Sequence, residues 1–213
     1  MKLSALRESV SYQAGLLGVV TLVASGALAL AHRHTQAAIA AAEARDLEQS
    51  LAQVLPAGFN DNALPSDTVQ VNDAAGSPVT VFRARRGGEI KGVIYPVTGK
   101  GYAGPIAIVM GVDRDGTILG VRVTKHAETP GLGDKIDAAK SPWIAGFTGK
   151  SLVQPSPERW AVKRDGGDFD QFSGATITPR AVVAAVKQGL AFFAAHRAEL
   201  LGDRPATPRS PES

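Results

Sequence analysis

Cysteine is absent from all 213 residues, which removes disulfides, iron–sulfur ligation, thiol catalysis and most structural zinc sites together. Any redox chemistry must therefore come from a bound organic cofactor or a metal held without thiolates. Aromatic residues make up only 6% of the chain, and the 23 Lys and Arg against 20 Asp and Glu are scattered with no basic block. That balance argues against nucleic acid as a partner. Only four histidines occur, and His32 and His34 sit beside an apolar run. There is no Gly-x-Ser-x-Gly elbow, so Ser173 is a poor candidate for a Ser-His-Asp nucleophile. His126 and Glu128 have the His-x-Glu spacing of zinc deaminases, but those need a Pro-Cys-x-x-Cys partner that this chain lacks.

Charge is also missing locally, from Ser9 through Ala31. As a helix those positions span roughly 34 Å, enough for the ~30 Å hydrocarbon core of a bilayer. A cleaved secretory signal is the rival reading, with Lys2 and Arg7 as the basic start and Ala29-Leu30-Ala31 as a small-residue cleavage site. The run exceeds the usual h-region length, which favours an anchor over residues 9–31. Either way the remainder crosses a membrane. Lys2 and Arg7 on one side nearly balance Arg33 and Arg45 on the other, so charge counting leaves the orientation open.

At this length the chain can hold one well-cored domain besides the anchor. The alanine-rich stretch 35–56 reads as a connecting helix with Leu47, Leu51, Val54 and Leu55 on one face and Pro56 as its stop. A Gly, Asn, Asp and Pro cluster then marks a loop over 58–67. From Val69 to His126 the β-branched segments predict strands, with turns at Gly87-Gly88 and at Asp113-Arg114-Asp115-Gly116. Short helices are expected near 135–140 and 142–147, and a last strand through Arg159–Arg164. The closing helix has Thr178 as N-cap, Pro179 at its first position, and Val182, Val186, Leu190 and Phe193 on the face that packs on the sheet. Residues 203–213 read as a disordered tail. The fold class is α+β: a single N-terminal transmembrane helix, then an antiparallel-sheet domain over 68–202 with a C-terminal helix.

Two stretches could carry chemistry. In "DFDQFSGATITPRAV", Gly174 and Ala175 leave room beside Thr176, just ahead of a helix N-terminus whose free N–H groups favour an anion. The residues alone leave open a plain helix cap. In "KHAETPGLGDKI", Thr129-Pro130-Gly131-Leu132-Gly133 makes a tight turn that can line a pocket, with His126 and Glu128 at its start. A structural turn is the alternative. "GYAGPI" precedes a strand, unlike a dinucleotide-binding loop, which leads into a helix, and reads as a loop against which a planar ligand could lie.

Together, an N-terminal membrane helix followed by "GYAGPI", "HAETPGLGDKI" and "DQFSGATITPRAV" resembles the G subunits of Rnf-type ion-translocating electron transport complexes. Their flavin domain is shared with the C subunits of sodium-translocating NADH:quinone reductases. The resemblance implies FMN joined by a flavin transferase, through a phosphoester, to the last threonine of an Asp-x-x-Ser/Thr-Gly-Ala-Thr motif. Here that motif is Asp170, Ser173, Gly174, Ala175 and Thr176, which makes Thr176 the implied attachment point. It also implies that His126, Glu128, Thr129, Gly131 and Leu132 lie near the isoalloxazine ring. By the same resemblance, residues 1–8 are cytoplasmic, and the FMN domain is periplasmic on a bacterial inner membrane. The chain would be an electron carrier without a complete active site of its own, in a complex coupling ferredoxin and NADH redox chemistry to ion transport. Its partners would be other membrane and iron–sulfur subunits, including a second covalent flavoprotein. The alternatives are a membrane-anchored or secreted flavin-binding sensory module, or the C subunit of the quinone reductase.

Overall fold

The structure is a computed structural model and describes residues 10–203. The expectations for 1–8 and for the tail past Asp203 lie outside the described residues. The chain divides into two compact units, Met1–Leu47 and Glu48–Ser213. Helix α1, Val10–Ala52, makes up the described part of the first, and its residues from Glu48 on belong to the second. The helix's stretch Tyr12–Arg33 is long and apolar enough to cross a membrane. The sequence suggests an anchor and a separate connecting helix; the two are one helix. Nothing between them breaks it, since the joining residues His32, Arg33 and His34 include neither glycine nor proline and alanine-rich sequence follows.

In the second unit five strands form an antiparallel sheet in the order β1-β2-β3-β4-β5. They are β1 Thr68–Asn72, β2 Pro78–Arg86, β3 Glu89–Lys100, β4 Pro105–Asp113 and β5 Ile118–Lys125. Each strand pairs with the next, so the sheet needs only hairpins, and the turn chemistry supplies them. Gly87 and Gly88 both take positive φ, +60° and +83°, as a tight two-residue turn requires. At the β4–β5 turn the Asp113 carboxylate accepts from the N–H groups of Asp115 and Thr117 at 2.9 and 2.8 Å.

Helix α2, Ile177–Leu200, covers one face of the sheet. Val182, Val186, Leu190 and Phe193 are buried there together with Val93, Tyr95, Ile108 and Met110. Burial of each such side chain contributes roughly 1.5–3 kcal/mol. The approach is close: a Cβ on Gly189 would stand 2.9 Å from Val97 Cγ1. Tyr95 is sealed in this layer and its hydroxyl donates to the Gly189 carbonyl at 2.9 Å. Burial pushes its phenol well above the usual tyrosine range.

Strand alternation sends Ile94 to the opposite face, where it meets Leu51, Val54, Leu64 and Ala84 in a second cluster. Gly111 and Gly120 admit the chain just past α1, since a Cβ on either would lie 2.9 or 2.8 Å from the Val54 carbonyl oxygen. The segment Arg159–Arg164, expected as a strand, is not one. It forms short 3₁₀ turns at Pro157–Arg159 and Lys163–Asp165, with an isolated bridge between Val162 and Phe169. Its alternating apolar residues, Trp160 and Val162, are indeed buried, but within an aromatic cluster with Phe147 and Phe169 and not in a sheet. Tertiary packing overrides the local period here.

Candidate functional site

The loop between β3 and β4, the turn after β5 and the start of α2 converge on one end of the sheet. They enclose an open cavity of about 410 Å³, lined by Tyr102, Glu128, Thr129, Leu132, Gly133, Gly174, Ala175, Thr176, Ile177 and Thr178. That volume suits a small-molecule site. All three sequence stretches singled out above contribute to it.

The motif that carries Thr176 is anchored from below by aromatic packing. Trp143 meets both Phe147 and Phe172 edge-on, at 5.3 and 5.1 Å between ring centroids, and its indole N–H donates to the Asp170 carbonyl at 2.9 Å. A tight turn follows, with Ala175 N–H donating to the Phe172 carbonyl at 3.2 Å. Gly174 makes this turn possible by taking φ +82°. Arg180, in the first turns of α2, clamps Asp165 with two hydrogen bonds of 2.6 and 2.7 Å. The hydrogen bond to Arg180 and its positive charge hold the Asp165 carboxyl below its usual range.

Thr178 differs from the sequence expectation. Helix α2 begins at Ile177, so Thr176 holds the N-cap position, Thr178 lies inside the first turn and Pro179 falls at the third helical position. Thr178 is 1% exposed. Its hydroxyl donates to Glu128 Oε2 instead of capping the helix. A carboxylate fifty residues away takes the hydroxyl, and no local pattern reveals that. Thr176 occupies the N-cap position without making a side-chain capping bond.

Glu128 is 5% exposed. Besides the Thr178 hydroxyl it accepts the Ala103 N–H on Oε1 at 3.0 Å. Its own N–H donates to His126 Nδ1 at 3.1 Å. It therefore bonds to all three converging segments. Gly101 and Gly133 leave the space it needs. A Cβ on Gly133 would fall 2.9 Å from Thr178 Oγ1 and 3.0 Å from Glu128 Oε2, and one on Gly101 would run into Glu128 Oε1.

Of the residues proposed from sequence, Thr176, Gly174, Ala175, Glu128, Thr129 and Leu132 line the cavity. His126 and Gly131 belong to the same turn but stand back from the wall. Ser173 is exposed outside it, and Asp170 pairs with Lys163 at 2.6 Å on the surface. Sequence reasoning places Gly133 in the pocket-lining turn and Tyr102 in the loop beside it without singling out Tyr102, and it misses Ile177 and Thr178 as wall residues. Tyr102 is 73% exposed at the cavity, and with Leu132 and Ile177 it makes an apolar rim. A lone exposed aromatic in a glycine-rich loop was the available signal for Tyr102. Ile177 and Thr178 had none.

An FMN-binding domain family matches residues 101–191, which includes every wall residue. The chain is 54% identical over 190 residues to the G subunit of the ion-translocating oxidoreductase complex of Cereibacter sphaeroides, covering 89% of this chain and 87% of that protein. It is 46% identical over 210 residues to the protein of the same name from Pseudomonas aeruginosa, covering 95% and 97%. Among solved structures, the C subunit of the sodium-translocating NADH-quinone reductase from Parabacteroides distasonis superposes with a TM-score of 0.51 at 23% identity, covering 76% of this chain and 94% of that one. That last likeness is one of fold.

Proposed function

The chain belongs to the family of G subunits of ion-translocating oxidoreductase complexes, and on that premise we propose that it carries electrons through FMN bound covalently to Thr176. One observation carries the choice of residue: of the three hydroxyl side chains between Asp168 and Val182, only Thr176 both lines the cavity and makes no side-chain hydrogen bond to another group. Ser173 lies outside the wall, and Thr178 is buried and committed to Glu128.

The residues present fit the group. Thr176 offers a hydroxyl at the cavity, and the free N–H groups at the start of α2 favour a phosphate. Gly174 and Ala175 keep the approach open, and the rim of Tyr102, Leu132 and Ile177 supplies apolar surface for a planar ring. When bound, FMN supplies the electron-transfer chemistry that a cysteine-free chain cannot. Thr176 would hold the group through a phosphoester at its hydroxyl, made by a flavin transferase, with the start of α2 facing the phosphate. The chain's remaining work is to orient the ring and restrict water around it.

In this reading the chain crosses the bacterial inner membrane once over residues 9–31, with residues 1–8 cytoplasmic and the FMN domain, 68–202, periplasmic. The partners are the other membrane and iron–sulfur subunits, one of them a second covalent flavoprotein. The whole complex couples ferredoxin and NADH redox chemistry to ion movement, and this chain has no complete active site alone. Relatives at 54% and 46% identity are named as G subunits, which weakens the reading as the quinone reductase's C subunit. The test is copurification from native membranes. The proposal predicts a flavinylated chain that travels with polytopic subunits, and membrane electron transfer that falls when the chain is deleted. A flavinylated chain that purifies alone, with electron transfer intact after its deletion, would favour the sensory alternative.

A further inference from the structure

Resting on that reading of Thr176, we propose that Glu128 is a positioning residue which sets the geometry of the attachment segment, acting through Thr178. It joins the β3–β4 loop, its own turn and the first turn of α2 by accepting from Ala103 N–H and the Thr178 hydroxyl. Both its oxygens are thereby satisfied in a buried setting. No ion pair among the described residues involves it. A carboxylate kept inside without a cationic partner is an expensive choice unless its contacts are needed. Those contacts fix Thr178, two residues beyond Thr176 on the same turn.

The consequence for modification follows from the N-cap geometry. Thr176 makes no side-chain capping bond, so no hydrogen bond of its own fixes its hydroxyl. Glu128 supplies the missing restraint from across the cavity. Gly101 and Gly133 extend the same logic, because each lacks the Cβ that would displace the carboxylate. Without Glu128, Thr178 loses its acceptor, the turn at Gly174 is free to shift, and the Thr176 hydroxyl samples other orientations.

The experiment is a time course of covalent flavin loading on the full-length chain, expressed in the membrane with an active flavin transferase and read by flavin fluorescence in denaturing gels. Glu128→Ala should load about tenfold more slowly, as expected if about one molecule in ten holds the competent geometry. Glu128→Gln keeps an oxygen for Ala103 N–H and can donate its amide to Thr178, so it should load within about twofold of wild type. Tyr95→Phe, which removes a hydrogen bond elsewhere in the core, should load at the wild-type rate and so separates positioning from general destabilisation.

Wild-type loading in Glu128→Ala would overturn the proposal, as would equal losses in the Ala and Gln variants. Should Glu128→Ala fail to fold, Thr178→Val is judged by the same criterion, since it removes one of the two contacts. A Thr176→Val chain that loads normally would instead strike at the attachment reading itself, which the Glu128 variants leave untouched.

Discussion

Replacing Thr178 with valine keeps the shape of a side chain that is 1% exposed and deletes only its hydroxyl. The hydroxyl donates to a buried carboxylate, and hydrogen bonds to charged groups contribute about 1.5–3 kcal/mol. Glu128 cannot recover the bond from water, because it is itself only 5% exposed. A loss of about 2 kcal/mol in a unit of this size corresponds to a fall in melting temperature of about 4–8 °C. Both tryptophans, Trp143 and Trp160, lie in the aromatic packing of this unit, so intrinsic fluorescence during thermal unfolding of the full chain in detergent reports on it. A capping threonine would give a similar loss, about 0.5–2 kcal/mol, so the single variant does not discriminate. The double-mutant cycle with Glu128→Ala does: the pair should couple by about 1 kcal/mol or more. Additive losses, or a Thr178→Val melting point within about 1 °C of wild type, would refute the buried contact.

Gly133→Ala should destabilise by about 1–3 kcal/mol, because the added Cβ meets Glu128 and Thr178 at once, and fluorescence-monitored melting checks it. Tyr95→Phe should lose about 0.5–1.5 kcal/mol in the same assay, through the bond to the Gly189 carbonyl. The Asp165–Arg180 pair sets a pH dependence. Its hydrogen bond and the Arg180 charge lower the Asp165 carboxyl relative to an ordinary aspartate, so its contribution is full above the ordinary range and is lost as pH falls through the lowered value. Arg180→Ala should therefore flatten the acid limb of a melting-temperature profile below about pH 4, and an unchanged limb would count against the pair. Asp170→Ala should slow flavin loading if the transferase reads this residue, since its side chain meets only Lys163 at the surface and its removal leaves the cavity intact.

The sheet was legible because its information is local. Paired glycines at 87–88 and the Asp113–Gly116 turn announce hairpins, and the period of Val182, Val186, Leu190 and Phe193 announces the covering helix. The cavity was partly legible, since its three walls each carry a glycine-rich signature. What joins those walls was not. Thr178 and Pro179 mimic a cap and a first helical residue, and only the fold reveals that Glu128, distant in sequence, takes the hydroxyl. Trp160 and Val162 alternate like a strand because they face an aromatic cluster, and a loop can present alternate residues to a core as well as a strand can. The absence of a break between anchor and connecting helix is again local: a run of good helix formers continues until the turn before Pro56.

The electron-carrier role depends on Thr176 holding the flavin. Intact mass and peptide mapping of the chain purified from its native membrane test it most directly, alongside flavin fluorescence under denaturing conditions. An FMN-sized addition is expected on the peptide containing Thr176, and none in Thr176→Val. An unmodified Thr176, in cells with a demonstrably active flavin transferase, would contradict it and return this residue to an ordinary helix start.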